Sequence, residues 1–209
     1  MTPKRFILDN AQATAPPLVP EVTLHLATEV VPLWRKTEEE LEAEGVPPPY
    51  WAFAWAGGQA LARYVLDNPD TVRSKRVLDF GAGSGLVAIA AAKAGAASVL
   101  AADIDAFAAA AIALNAEING AAVAVTTDDV IGRDGAWDTI LVGDMCYERP
   151  LAERLLAWLR SQRALILLGD PGRSYFPKDG VAKCATYRVQ TTRELEDREI
   201  RETSVFRLL

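Results

Sequence analysis

From Arg76 onward the chain alternates short apolar runs with longer helical ones, and this alternation restricts the available folds more than any other feature. RVLDF, SVLAAD, AVAVTT, WDTILVGD and RALILLGD read as strands, while LVAIAAAKAGA, DAFAAAAIALNAEING and RPLAERLLAWLRS carry the length and spacing of helices. Apolar strands separated by helices of about a dozen residues predict right-handed crossover units and a parallel sheet buried on both faces. After Asp170 the style changes. CATYRVQTT and EIRETSVFRLL are β-type segments with no helix between them, which predicts an antiparallel hairpin. The expectation is an α/β fold, doubly wound around a mostly parallel seven-stranded sheet that ends in a C-terminal antiparallel hairpin. Residues 50–209 form that domain, opened by an aromatic segment, YWAFAWAGG, that leads into a helix ending near Pro69. Residues 1–49 are an N-terminal arm and helical extension, in which residues 1–20 are irregular and Pro32 to Glu44 form a charged helix.

Composition narrows the chemistry. With 22 Lys+Arg against 28 Asp+Glu, the net charge of −6 argues against general binding to nucleic acid or to an anionic membrane. The single histidine, His25, excludes an HExxH zinc site and is read as a surface or packing residue. Two cysteines, Cys146 and Cys184, support neither a disulfide framework nor a four-ligand zinc site. No metal is expected. The first residues carry no apolar run long enough for a secretory signal, and the alanine-rich stretch after Leu86 is broken by Lys93, so a cytoplasmic protein with reduced thiols is expected.

The chemistry is concentrated in VLDFGAGSG, which places Asp79, Gly81, Gly83 and Gly85 between the first parallel strand and its helix. Glycines there let the backbone turn sharply and let a ligand approach the main chain at the carboxyl ends of the strands. The dinucleotide fingerprint GxGxxG needs glycine at position 86, where this chain has Leu86, and Asp79 would repel a diphosphate. An acid there suits an ammonium, so the turn fits the amino-acid part of S-adenosylmethionine better than NAD. Asp103 ends the second strand, where a carboxylate can accept from ribose hydroxyls. Asp128 and Asp129 end the third, either of them able to accept from an adenine amino group. Asp144 ends the fourth, where a methyl group would be presented. A strand-end acid can equally cap the following helix, and only the set as a whole favours a ligand.

At these residues the chain resembles the class I, seven-β-strand S-adenosylmethionine-dependent methyltransferases, whose sheet is Rossmann-like. GDMCY supplies a DxxY motif, Asp144 to Tyr147, that is similar to one group of protein-lysine methyltransferases. Within that group PYWAFAWAGGQALARY and LLGDPGRSYFP resemble the electron transfer flavoprotein β-subunit lysine methyltransferases. The resemblance implies S-adenosylmethionine as cofactor and lysines of that β subunit as substrate. Asp144 is then expected to orient the lysine ammonium, with Tyr147 lining or closing the channel. Cofactor contacts are expected from Trp55, Gln59, Asp79, Gly81, Gly83, Gly85, Asp103, Asp128 and Asp144. Trp51 and Trp55 are read either as walls of the lysine channel, as neighbours of the methionine part, or as core residues. Arg173 either meets an acidic patch of a partner or caps a loop, and Cys146 is a small apolar filler. A monomer acting on a protein, without nucleic acid or membrane, is the expected state. The alternatives are methyl transfer to another protein, such as a ribosomal protein, or to a small amine, and a non-catalytic binding module built on the same fold.

Overall fold

A computed structural model describes residues 2–27, 48–191 and 200–209. The expected charged helix from Pro32 to Glu44 lies outside them. Nine strands and five α-helices follow one another along the described chain. The helices are α1 (Pro3–Asn10), α2 (Ala56–Asp67), α3 (Leu86–Lys93), α4 (Ala106–Ile118) and α5 (Arg149–Leu159). Strands β1 (Gln12–Thr14) and β2 (Leu24–Leu26) form a small antiparallel ribbon. The main sheet contains β3 (Arg76–Phe80), β4 (Ser98–Ala102), β5 (Ala124–Thr126), β6 (Thr139–Gly143), β7 (Leu165–Asp170), β8 (Val181–Gln190) and β9 (Ile200–Leu208).

The sheet order is β5-β4-β3-β6-β7-β9-β8. The first five of these strands run parallel, and β9 and β8 close the sheet antiparallel. This is the expected doubly wound sheet with its hairpin. The apolar runs have a direct explanation. Leu78, Phe80, Ile140, Val142, Ile166 and Leu168 enter the core on the α5 side, while Val77, Leu141 and Leu167, one residue out of step, enter the core under α2 and α3. Successive strand residues point to opposite faces, so a sheet covered on both faces makes the middle of these strands apolar on both sides and leaves polar residues to their ends, as with Asp79, Thr139 and Asp170.

The N-terminal segment departs from expectation. Residues 1–20 were expected to be irregular, yet Pro3–Asn10 are helical, with Thr2 Oγ1 accepting the Arg5 N–H at the cap and Pro3 at the first turn. The helix is held by packing. Ile7 is fully buried in a cluster with Trp51, Phe53 and Leu114, and Phe6 meets Phe107 edge-to-face at 5.3 Å. An eight-residue helix is marginal alone, and the tertiary contacts that stabilise it are not readable from local sequence. No helix among the described residues is long and apolar enough to cross a membrane.

Candidate active site

The turn after β3 is built as its glycines require. Gly81, Gly83 and Gly85 have φ of 64°, 52° and 81°, a region that only glycine enters without strain. The turn is fixed from outside by Asp103, whose Oδ2 accepts the Gly83 N–H at 2.9 Å and whose Oδ1 accepts the Asp105 N–H at 3.0 Å. Asp105, not Asp103, caps α4, accepting the Phe107 N–H at 2.8 Å. Asp103 is thereby left on the wall of the cleft, with its carboxyl pushed above the usual range by burial. Asp79 lies beneath the turn and accepts the Ala88 N–H of the first turn of α3 at 2.8 Å. It is 1% exposed, and burial pushes its carboxyl up to about 8.

A cleft of about 430 Å³ opens over the carboxyl ends of β3, β4 and β6, within the size range of small-molecule sites. A smaller pocket adjoins it, lined by Asp79 and Gly58, and the two share Trp55, Gly81, Gly83 and Gly143. Ile104, 76% exposed, lines the larger part, as do Asp103, Asp128 and Asp129. Trp51 is in its wall too, and its indole N–H has no hydrogen-bond partner among the described residues.

Asp144 sits just beyond β6 with φ of 59°, the left-handed region, where aspartate is tolerated and where residues under functional constraint collect. Its N–H donates to the Gly169 carbonyl at 2.9 Å, and its Oδ2 accepts the Gly57 N–H at the start of α2. Its Oδ1 accepts from Arg173 Nε at 2.7 Å. Arg173 also stands over the Trp55 ring, with Cζ 5.9 Å from the centroid. Trp55 is anchored by donating its indole N–H to the Tyr50 carbonyl at 2.9 Å. Tyr147 packs on Tyr50 with ring centroids 5.8 Å apart, and burial together with Tyr50 pushes its phenol up to about 12. Cys146 is buried, with its thiol likewise pushed up to about 12 by burial, so it is no nucleophile.

The structure thus brings Trp55, Asp79, Gly81, Gly83, Asp103, Asp128, Asp144 and Tyr147 to one cleft and its adjoining pocket. Gly85 does not line it; it starts α3 and packs on Ile112. Gln59 is not brought there either. Its side chain is buried and its Nε2 donates to the Ala54 carbonyl at 2.7 Å, one turn back. Asp128 and Asp129 lie beyond the end of β5 rather than in it, and their side chains pair with Arg133 and Arg154. His25 is a packing residue, its ring Nδ1 2.9 Å from Asn115 Oδ1. The pairing of Arg173 with Asp144 was not foreseen, because nothing in GDPGR marks its partner 29 residues away. Nor was the role of Asn115, whose place in NAEING, one turn before Asn119, is the only local signal.

These residues fit S-adenosylmethionine. The smaller pocket offers a buried carboxylate, Asp79, with no cation among the causes that shift it, as a site for an ammonium. The larger part offers Asp103 for hydroxyls and the apolar side chain of Ile104 for a flat ring. The fold and this site define a class I S-adenosylmethionine-dependent methyltransferase, and S-adenosylmethionine is its cofactor. Residues 59–142 match the family model of ribosomal protein L11 methyltransferase. The magnesium protoporphyrin IX methyltransferase of Synechocystis PCC 6803, crystallised with bound S-adenosylmethionine, superposes with a TM-score of 0.53 at 16% identity, covering 71% of this chain and 76% of that one. That likeness carries the fold alone. The electron transfer flavoprotein β-subunit lysine methyltransferase of Xenopus laevis is 42% identical over 187 residues, spanning 87% of this chain and 75% of the relative. The human protein of the same name is 42% identical over 180 residues, spanning 83% and 68%. The chain belongs to this family of protein-lysine methyltransferases.

Proposed function

We propose that this enzyme methylates lysine side chains of the electron transfer flavoprotein β subunit, with Asp144 at the acceptor site. The observation that carries the reading is the buried Asp144 carboxylate, which lines the larger part of the cleft together with Trp55 and Tyr147. The family's shared name supports the substrate. Bound S-adenosylmethionine supplies an activated methyl group on a sulfonium, whose departure needs no acid.

What remains for the protein is to bind, align and dry the amine. Asp79 would hold the cofactor's ammonium, Asp103 its ribose hydroxyls, and the Gly81–Gly83 backbone would allow close approach. Either Asp128 or Asp129 would lie toward the adenine. Asp144 would receive the incoming ammonium by a charge-assisted contact. Trp55 and Tyr147 would wall the channel, where exclusion of water favours loss of the lysine proton to solvent before attack. A lysine ammonium has a pKa of about 10.4 in water, so this step is required near neutrality.

Incubation with labelled S-adenosylmethionine and purified flavoprotein should label the β subunit, with a mass shift in methyl steps on lysines. No labelling, by protein that binds the cofactor, would sink the substrate assignment. Asp144→Asn should lower labelling by about 100-fold or more while cofactor affinity by calorimetry changes about threefold at most. Retained activity would remove Asp144 from its role.

A further inference from the structure

We propose that the Arg173 guanidinium occupies the acceptor-lysine subsite of the substrate-free enzyme, and that the substrate lysine enters by exchanging with it at Asp144. This rests on the reading of Asp144 as the acceptor-site acid. A lysine ammonium arriving there needs a carboxylate oxygen and is favoured by an aromatic face. Arg173 already has both, with Nε 2.7 Å from Asp144 Oδ1 and Cζ 5.9 Å from the Trp55 centroid. The other oxygen of Asp144 takes the Gly57 N–H, so the newcomer meets the oxygen that Arg173 holds. Two cations at one buried carboxylate oxygen repel, which favours departure of the resident one.

The surroundings suit an exchange by side-chain rotation. Asp170 Oδ1 accepts the N–H groups of Gly172 and Arg173, each at 2.7 Å, and the Tyr175 N–H donates to the Cys146 carbonyl at 3.3 Å. The loop backbone is therefore pinned on both sides of Arg173. The Arg173 side chain is 19% exposed against 7% for Asp144, so the guanidinium has a way to solvent that the carboxylate lacks. Arginine also suits the task chemically. A carboxylate this buried is costly without a counter-ion, and a guanidinium, which stays protonated, supplies the charge while being a far poorer nucleophile than a neutral lysine amine. An amine with no docking energy of its own competes poorly with this resident cation. A lysine carried by a protein bound over the rim would displace it, so Arg173 filters substrates by what else they bring.

Arg173→Lys tests the placement directly, since lysine has the same length out to the position of the guanidinium carbon. With S-adenosylmethionine, the methyl carbon would bond to the new amine at position 173 as its bond to sulfur breaks. S-adenosylhomocysteine leaves and the amine proton goes to water. Peptide mapping should find methylation at position 173 at a rate independent of protein concentration, and lost on adding Asp144→Asn. An unmodified position 173 in a variant that still binds the cofactor would overturn the proposal. A second arm needs no turnover. Titration of cofactor-free protein with n-butylammonium, a lysine side-chain mimic, should show about tenfold tighter binding or more in Arg173→Ala than in the wild type. Arg173→Gln serves the same purpose should the alanine variant melt early. Equal or weaker binding in the folded variant would overturn the proposal even if the flavoprotein is labelled normally. Failure to label the flavoprotein, with the expected butylammonium result, would count against the substrate and leave the exchange standing.

Discussion

Three carboxylates of the site do three different things because their neighbours differ. Asp103 accepts two backbone N–H groups, and Asp144 accepts one and is paired with a guanidinium. Asp79 has one backbone donor, which favours the ionised carboxylate, but full burial outweighs it and pushes the carboxyl up to about 8. Its proton therefore stays on in the folded, cofactor-free protein across a pH range where the unfolded chain, at about 4, has lost it. The native state binds more protons in that window, so stability falls as pH rises from about 4 to 8. Asp79→Asn should remove this slope. Urea unfolding at pH 8 should show a gain on the order of 5 kcal/mol, shrinking toward zero at about pH 4, while cofactor affinity drops about tenfold or more. A variant with the wild-type slope would show that Asp79 is ionised throughout. Asp79, Asp103 and Asp144 were legible in the sequence because strand ends can be counted. What each carboxylate holds was not, since Arg173 reaches Asp144 across the gap between two loops.

Helix α2 shows how an element can be set against the sheet by two adjacent glycines with opposite duties. A Cβ at Gly57 would lie 2.3 Å from the Gly169 carbonyl oxygen and 2.7 Å from Asp144 Oδ2, so the helix start presses on the ends of β6 and β7. A Cβ at Gly58 would meet nothing within 4 Å, and Gly58 lines the smaller pocket. Gly57→Ala should therefore destabilise by about 2–4 kcal/mol, since backbone and not a flexible side chain stands in the way. Gly58→Ala should leave stability equal or raised by up to about 1 kcal/mol from helix propensity, with cofactor affinity reduced. Thermal melts and calorimetry on the pair separate the two duties, and equal destabilisation of both would refute the distinction. The sequence places the Gly57-Gly58 pair where the aromatic segment leads into a helix, a position that suits close backbone approach. It could not show that one approach is to the protein's own backbone, because that contact depends on where a strand 112 residues later ends.

Across the whole molecule, one side chain joins three parts of the chain. Asn115, fully buried on α4, accepts the His25 N–H at 2.7 Å, faces the His25 ring, and donates to the Ser84 carbonyl in the glycine turn at 2.8 Å. The N-terminal segment is thus hydrogen-bonded to the glycine turn through this amide. Asn115→Ala would leave these groups buried without their partner and should cost about 2–4 kcal/mol. It should also weaken cofactor binding, whereas a surface change such as Lys178→Ala should do neither. A melt within a degree of wild type would show that water replaces the amide. The parallel sheet was legible because periodicity announces it, but this junction was not, as it joins residues 31 and 90 positions from Asn115.

The sheet order also fixes a sequence of events in time. Strand β9 lies between β7 and β8 although it is made after both. During synthesis, all strands beneath the cofactor cleft can emerge and pair while β7, which ends at Asp170, still has one edge unpaired. β8 cannot join the sheet until β9 arrives to bridge them. A nascent chain paused near residue 195 would therefore carry the cofactor-binding half together with an open sheet edge, a state in which a chaperone or another nascent chain has its best chance to intervene.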